Sequence, residues 1–296
     1  MDDLKFSIII PTTNNLDYLK ICLNSINKNS NFFHEIIVHV NEGHDGTLEY
    51  IKNKKKISYT YSKDILGLCT ATNLAASKAT TNYILYSHDD MYFCPNWDLV
   101  LKKEIDLIQS NKFYLSSTMI EKNSGHIQLD CGSTFNDFDE EKLLSHLPKL
   151  PKIDFQGSHW APHLIHRELW NRIGGFSHEF DPGFGSDPDL NMKLWNEGVR
   201  IFKGLGNFQV YHFGSITLRK KKNFIANNGT KTFLMKWKIT PKFFVKHYLR
   251  GGKFKGNKII SEKYVKPLSN PIKNFIYYFD YFICKLKYLI LKYNAQ

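Results

Sequence analysis

The chain has 296 residues, 42% of them apolar and 23% charged, with a formal net charge of +12. That length and apolar fraction fit a folded protein with one large domain and an appendage. Five scattered cysteines without a Cys-x-x-Cys pair exclude the usual zinc spacing and offer no disulfide framework, which suits a reducing compartment.

The first predicted strand is Phe6–Ile10, stopped by Pro11. It follows Met1-Asp2-Asp3-Leu4-Lys5 directly, with no leader-like stretch, and no apolar run in the chain reaches the roughly 18–20 residues of a membrane span. Leu16, Leu19, Leu23 and Ile26 recur at helical spacing and predict a helix over Leu16–Asn27. A strand follows at Glu35–Val40. Gly43 and Gly46 then break the chain before a helix over Thr47–Lys54. Ile57–Tyr61 alternates like a strand, Leu66–Ala79 reads as a small-residue helix, and Asn82–Ser87 reads as the next strand. Repeated β-α-β units imply a mostly parallel sheet with helices on both faces and right-handed crossovers, a Rossmann-like nucleotide-binding architecture. Ligands of such sheets bind beyond the carboxyl ends of the strands.

The fourth strand ends at that edge in Ser87-His88-Asp89-Asp90. Two adjacent carboxylates there repel unless something positive lies close. A divalent cation with a taste for oxygen ligands, Mn²⁺ or Mg²⁺, answers this and also bridges to phosphates. The alternative is a helix cap, in which Asp89 or Asp90 accepts backbone N–H groups. No Gly-x-Gly-x-x-Gly follows the first strand and no Gly-x-x-x-x-Gly-Lys-[Ser/Thr] occurs, so dinucleotide and P-loop readings lose their main support.

Five segments in order carry a resemblance. They are Ile8-Ile9-Ile10-Pro11-Thr12-Thr13-Asn14, Val38-His39-Val40-Asn41-Glu42-Gly43-His44-Asp45-Gly46-Thr47, Gly67 with Ala71-Thr72-Asn73, Ser87-His88-Asp89-Asp90, and Gly174-Gly175-Phe176 with Ser186-Asp187-Pro188-Asp189-Leu190. Together they resemble the A-type glycosyltransferase fold, and specifically the large inverting family 2 of nucleotide-sugar transferases. The resemblance implies transfer of a sugar from a nucleotide-diphosphate donor, with UDP-type donors favoured. It places Pro11, Thr12, Thr13, Glu42 and Asp89 at the donor nucleotide. It places Asp90 and His212 at the metal, Mn²⁺ or Mg²⁺. Asp187 matches the base that deprotonates the acceptor hydroxyl, a role typically contributing ~10²–10⁴-fold. His159, Trp160 and Asp189 fall at the sugar and acceptor pocket. Bland readings stand beside these: Asp187 before Pro188 as a cap of a helix over Pro188–Glu197, Asp189 stabilising that helix's first turn, Trp160 as a core aromatic, His212 as a structural histidine.

Three departures separate the chain from the family pattern. Thr72 replaces the usual arginine, Ser186 replaces the glutamate before the base, and His-Asp-Asp replaces Asp-x-Asp. A Gln-x-x-Arg-Trp signature is also missing after Asp187, where Trp195-Asn196-Glu197-Gly198 stands. That argues for one sugar per visit rather than processive synthesis.

Residues 215–296 lie beyond the resemblance and hold 19 Lys plus Arg against Glu262 and Asp280, a net +17; residues 1–214 carry −5. The expected organisation is a catalytic domain over 1–214 and a basic, aromatic helical tail over 215–296, with Arg219–Lys222 as a basic link and helices at Pro241–Arg250 and Asn270–Tyr293. In the last, Phe275, Tyr278, Phe279, Phe282, Leu286, Leu289 and Tyr293 share a broad apolar side among Lys273, Lys285, Lys287 and Lys292. This composition suits an anionic membrane surface, hence a peripheral protein on a cytoplasmic membrane face acting on a glycan or lipid-linked acceptor. Packing on the body or on a partner is the alternative for that helix. Other functions left open are a catalytically silent sugar-nucleotide-binding module and a nucleic-acid binder, the latter disfavoured because the positive charge avoids the site-bearing body.

Overall fold

A computed structural model describes residues 4–214, 228–255, 258–260 and 262–294. The expected basic link Arg219–Lys222 lies outside the described residues. The main sheet contains β1 (Phe6–Thr13), β2 (Glu35–Asn41), β3 (Ile57–Ser62), β4 (Tyr83–Tyr86), β5 (Met91–Phe93), β6 (Phe113–Glu121), β7 (Ile127–Gln128), β8 (Phe155–Gln156), β9 (His163–His166) and β10 (Ile201–His212). Its order is β3-β2-β1-β4-β9-β6-β10-β5, with β7 on β6 and β8 on β10.

The β3-β2-β1-β4 half is parallel throughout, as the β-α-β pattern predicts. The other half is mixed. β9 runs antiparallel to both β4 and β6, and β5 and β8 run antiparallel to β10. Local alternation cannot announce strand direction, so this mixing was invisible in the sequence.

Pro11 does not stop β1, which continues to Thr13. The reason lies in the register. Ile9 presents its carbonyl to Ser87 N at the end of β4, and residues two apart in a strand point the same way. Pro11 therefore faces the side where β4 has ended, so its missing N–H breaks no ladder bond.

Of the helices, α1 (Leu16–Asn29), α2 (Thr47–Lys52), α3 (Leu68–Ala76) and α7 (Ser186–Asn196) follow prediction within a few residues, while α4 (Trp97–Ile108), α5 (Glu140–His146) and α6 (Arg167–Ile173) are additional to it. Cys69, Ala71, Ala75 and Ala76 are the buried apolar residues of α3, small enough to let it lie close on β1 and β2. Its start is tied down by Asp181, whose Oδ1 accepts from Cys69 N at 2.8 Å. A carboxylate there complements the positive end of the helix. Gly67 is required at this junction, because a Cβ would lie 2.2 Å from the Asp181 carboxyl.

The hydrophobic core does not end at residue 214. Phe233, Phe243, Phe244, Leu249, Leu268, Tyr277 and Cys284 are buried in the same cluster as the sheet residues Ile9, Phe113 and Phe202. Apart from Leu268, which precedes the final helix, they come from the helix Gly229–Trp237, the short helix Pro241–Phe244 with its π-helical continuation Val245–Leu249, and the final helix Phe275–Tyr293. The expected tail is thus packed on the body over much of its length.

Candidate active site

A cleft of about 270 Å³ opens at the carboxyl ends of β1, β2 and β4. Pro11, Thr12 and Thr13 from β1 and Asn41 from β2 form one wall, and His88, Asp89 and Asp90 form the floor. Ile65, Leu66 and Leu68 form an apolar wall, and Pro182, Phe184 and Asp187 close the far side. Residues from positions 11 to 187 meet here because successive parallel strands deliver their ends to one edge.

Thr12 Oγ1 donates to Asp89 Oδ2 at 2.6 Å, which fixes that carboxylate beside the β1 loop. Neither Asp89 nor Asp90 caps a helix: the short strand β5 follows directly at Met91. Asp90 instead meets β10, where His212 Nε2 lies 3.4 Å from Asp90 Oδ1. The other nitrogen of His212 is bonded to Glu121 at the end of β6. Burial opposes a charge on His212, but Asp90 and Glu121 on either side outweigh it and raise its pKa to about 10. His88 is different. Burial drives its pKa down to about 4, so its imidazole is neutral at neutral pH.

His88, Asp90 and His212 each offer one ligand atom, and these atoms lie within 4.8 Å of one another. Such a set fits a divalent cation once His212 Nε2 gives up its proton, as metal binding requires of a histidine ligand. Two imidazoles with one carboxylate suit Mn²⁺ better than Mg²⁺, which prefers all-oxygen surroundings. The bond from Glu121 orients His212 as a hydrogen-bonded carboxylate orients metal-binding histidines elsewhere. Reading His-Asp-Asp as a degraded Asp-x-Asp missed His88 as a ligand candidate, although it stood next to the aspartates. Glu121 had no signal in the sequence.

Asp187 lies in the first turn of α7, which begins at Ser186, two residues before the expected start. The cap is Gly185, in a left-handed conformation with φ 85° and no side-chain bond. Asp187 is therefore not the cap. Among the described residues none donates a hydrogen bond to its carboxylate, and burial alone raises its pKa to about 7. A cleft carboxylate with that proton affinity is suited to general-base work near neutral pH.

Five expected residues are not in the cleft lining: His212, which stands against Asp90, and four that lie apart from it. Glu42 follows the end of β2 at φ 59°, and its carboxylate accepts from Asn14 Nδ2 at 2.8 Å. Asn41, one position earlier, faces the cleft instead. Its Oδ1 accepts from Leu66 N at 2.9 Å and from Ser62 Oγ at 2.8 Å, holding the apolar wall in place. His159 and Trp160 stack on each other with centroids 4.4 Å apart, away from the lining. Asp189 is fully buried and accepts from Ser177 Oγ at 2.6 Å and Trp237 Nε1 at 2.8 Å, with Lys236 Nζ 2.9 Å away. Those partners make it an anchor between α7 and the Gly229–Trp237 helix rather than a pocket group. Thr72, in place of the family's arginine, is buried and donates to Leu68 O at 2.7 Å, so it contributes nothing to the cleft.

Comparison with known proteins bears on the fold and the family. The chain is 28% identical over 125 residues to an uncharacterized glycosyltransferase of Rickettsia bellii (strain RML369-C), covering 40% of this chain and 17% of that protein. Its structure resembles residues 1–349 of S. aureus TarS, with a TM-score of 0.53 and 20% identity, over 71% of this chain and 60% of that one. It also resembles GalNAc-T7 solved with UDP, GalNAc and Mn²⁺, with a TM-score of 0.58 and 16% identity, over 83% of this chain and 50% of that one. The chain therefore spans under two thirds of the length of each of these relatives, and the shared part is the A-type glycosyltransferase fold. The model of the glycosyl transferase family 2 matches residues 7–160, from the first strand through Trp160, and the chain belongs to that family.

Proposed function

We propose that the protein transfers a single sugar, with inversion, from a nucleotide-diphosphate sugar of UDP type to a hydroxyl of a glycan or lipid-linked acceptor. The observation that carries this reading is the placement of Asp187 in one cleft with Asp89 and Asp90. Thr12, Thr13, Asn41 and Asp89 take the nucleoside. The acceptor oxygen attacks the anomeric carbon from the side of Asp187, which accepts the hydroxyl proton. The new carbon–oxygen bond forms as the bond to the diphosphate breaks, and the nucleoside diphosphate leaves on the side of Asp90. His88, Asp90 and His212 would hold a divalent cation, Mn²⁺ before Mg²⁺, which would supply charge neutralisation of the diphosphate. The structures of TarS with UDP and with UDP-GlcNAc support a UDP-type donor for this fold.

The final helix supports a peripheral place on the cytoplasmic face of a membrane. Phe275, Tyr278, Phe279, Phe282, Leu286, Leu289 and Tyr293 are between 40 and 83% exposed. The body covers the opposite side of that helix, through Tyr277 and Cys284. No helix among the described residues is long and apolar enough to cross a membrane. A helix with an outward aromatic face and flanking lysines suits the headgroup region.

A second reading, a binding module without turnover, is favoured by Thr72 alone. Calorimetry with UDP and UDP-sugars, with and without Mn²⁺, followed by a donor-hydrolysis assay, separates the two. Metal-dependent binding with sugar release supports transfer. Tight binding without any release, even with acceptor extracts, supports the module.

A further inference from the structure

Three strand ends carry a row of polar side chains behind the nucleoside wall of the cleft. In the register of the sheet, Thr13 of β1 stands opposite Asn41 of β2, and Asn41 stands opposite Ser62 of β3. His39 stands opposite Thr60 and shares a sheet face with Asn41, because residues two apart in a strand point the same way. These side chains form one network. Ser62 Oγ donates to Asn41 Oδ1 at 2.8 Å, and Leu66 N donates to the same oxygen at 2.9 Å. Asn41 Nδ2 donates to Leu66 O at 3.3 Å and to Thr13 Oγ1 at 3.2 Å. His39 Nε2 lies 3.2 Å from both Asn41 Oδ1 and Ser62 Oγ, and its Nδ1 lies 2.7 Å from Thr60 Oγ1.

The partners fix every proton in this network. A backbone N–H only donates and a backbone carbonyl only accepts, so the Leu66 peptide decides which end of the Asn41 amide is oxygen. The Ser62 proton is engaged by Asn41 Oδ1. His39 Nε2 faces two oxygens and therefore carries the ring proton, while Thr60 donates to Nδ1. Burial lowers the pKa of His39 and so favours this neutral form. Asn41 Oδ1 then accepts from Leu66, Ser62 and His39, and both Nδ2 protons are given. The amide lines the cleft yet has no bond left to offer a ligand. Thr13 is the opposite case. Its Oγ1 accepts from Asn41, and its own proton meets no acceptor among the described residues. Thr13 lines the cleft beside the apolar Ile65 and Leu66, while Glu42 is turned to Asn14.

We propose that this wall reads a pyrimidine base through a carbonyl oxygen, to which the Thr13 hydroxyl donates, and leaves the ring N–H unread. The proposal rests on the reading of the cleft as a nucleotide-sugar site, with the diphosphate by Asp90 and the base at the β1–β2 end, and it names the specificity of that site. Uracil presents a carbonyl acceptor on each side of its ring N–H. A strand-end carboxylate would accept that N–H, but a saturated amide does not. Ile65 and Leu66 supply an apolar surface for the flat ring and are indifferent to its edge. A hydroxyl proton closed in without an acceptor costs free energy, so Thr13 favours a base edge that carries a carbonyl.

The test is calorimetry on the full chain, with Mn²⁺ throughout, using UDP, N3-methyl-UDP, in which a methyl group replaces the ring proton, and inorganic pyrophosphate. The wild type should bind UDP and N3-methyl-UDP within about threefold of each other, and both more tightly than pyrophosphate. Thr13→Val, close in shape but without the hydroxyl, should weaken both nucleotides about tenfold and leave pyrophosphate binding unchanged, which general damage to the fold would not do. Asn41→Asp puts an acceptor where Nδ2 stood, so it should introduce a preference of about tenfold for UDP over N3-methyl-UDP. A wild type that binds UDP at least tenfold tighter than N3-methyl-UDP overturns the proposal. So does UDP binding no tighter than pyrophosphate, unchanged UDP affinity in Thr13→Val, or an Asn41→Asp variant indifferent to the methyl group. Each of these leaves the transfer reading intact. Absence of UDP binding in the wild type removes the transfer reading and this proposal with it.

Discussion

Asp189 Oδ1 accepts a hydrogen bond from Trp237 Nε1 at 2.8 Å, joining the helix that carries Asp187 to the first helix of the basic C-terminal segment. The bond is charge-assisted and buried at the carboxylate, where Lys236 also meets Oδ1 and Ser177 donates to Oδ2. The basic segment is therefore part of the support of the site.

Trp237→Phe should lower stability by about 1–3 kcal/mol, the range for losing a bond to a charged group. Urea unfolding measures it. Truncation after residue 214 should be far more damaging, because it strips Phe233, Phe243, Phe244 and Leu249 from the core. A soluble, cooperatively unfolding 1–214 fragment would show that the body is an independent domain after all.

Asp90→Asn should weaken UDP binding at least tenfold in the presence of Mn²⁺ and leave the much weaker metal-free binding unchanged. His88→Ala should act in the same direction, because its neutral imidazole faces the same point as Asp90 and His212. Calorimetric titration of UDP, with and without Mn²⁺, reads both. Identical metal dependence in wild type and His88→Ala would remove His88 from the ligand set.

Asp187→Asn should keep donor affinity and lower the transfer rate by roughly 10²-fold or more. In the wild type, kcat/KM should fall about tenfold per pH unit below pH 7, because the base must be deprotonated and its pKa lies at about 7. Stability carries the opposite sign. The folded state holds this proton more tightly than the unfolded chain does, so the wild type loses stability as pH rises from about 4 to 7. Asp187→Asn should become progressively more stable relative to wild type across that window. Thermal unfolding at pH 4, 5.5 and 7 checks it, and a constant difference would refute burial as the cause.

The full chain should bind anionic vesicles at low salt and release in part as the Debye length falls from about 10 Å at 0.1 M to about 3 Å at 1 M salt. Phe279→Asp with Phe282→Asp should abolish the salt-resistant remainder, since both rings are more than half exposed. UDP affinity should not change. Vesicle sedimentation gives the answer, and indifference to anionic lipid at low salt would return the outer face to the role of a protein contact.

The sequence by itself determined the parallel half of the sheet, the edge at which the site forms and six of the cleft residues, Pro11, Thr12, Thr13, Asp89, Asp90 and Asp187. Apolar runs of strand length ending in Pro11-Thr12-Thr13, Asn41 and His88-Asp89-Asp90 carry that information locally, because strand and helix periods depend only on near neighbours. The charge contrast at residue 215 was equally legible, being a matter of composition. The tertiary structure alone decided who meets whom. Glu121 and His212 are 91 positions apart and touch because β6 and β10 are sheet neighbours. Asn41 rather than Glu42 faces the cleft because one step along the chain past a strand end changes direction. Asp189, read as a first-turn acid or a pocket group, became an interior anchor because the Gly229–Trp237 helix lies against it. The aromatic side of the last helix was visible as periodicity, but which side the body covers was set by packing. The residues that the core buries there are Tyr277 and Cys284, and the wider apolar stripe is left outward.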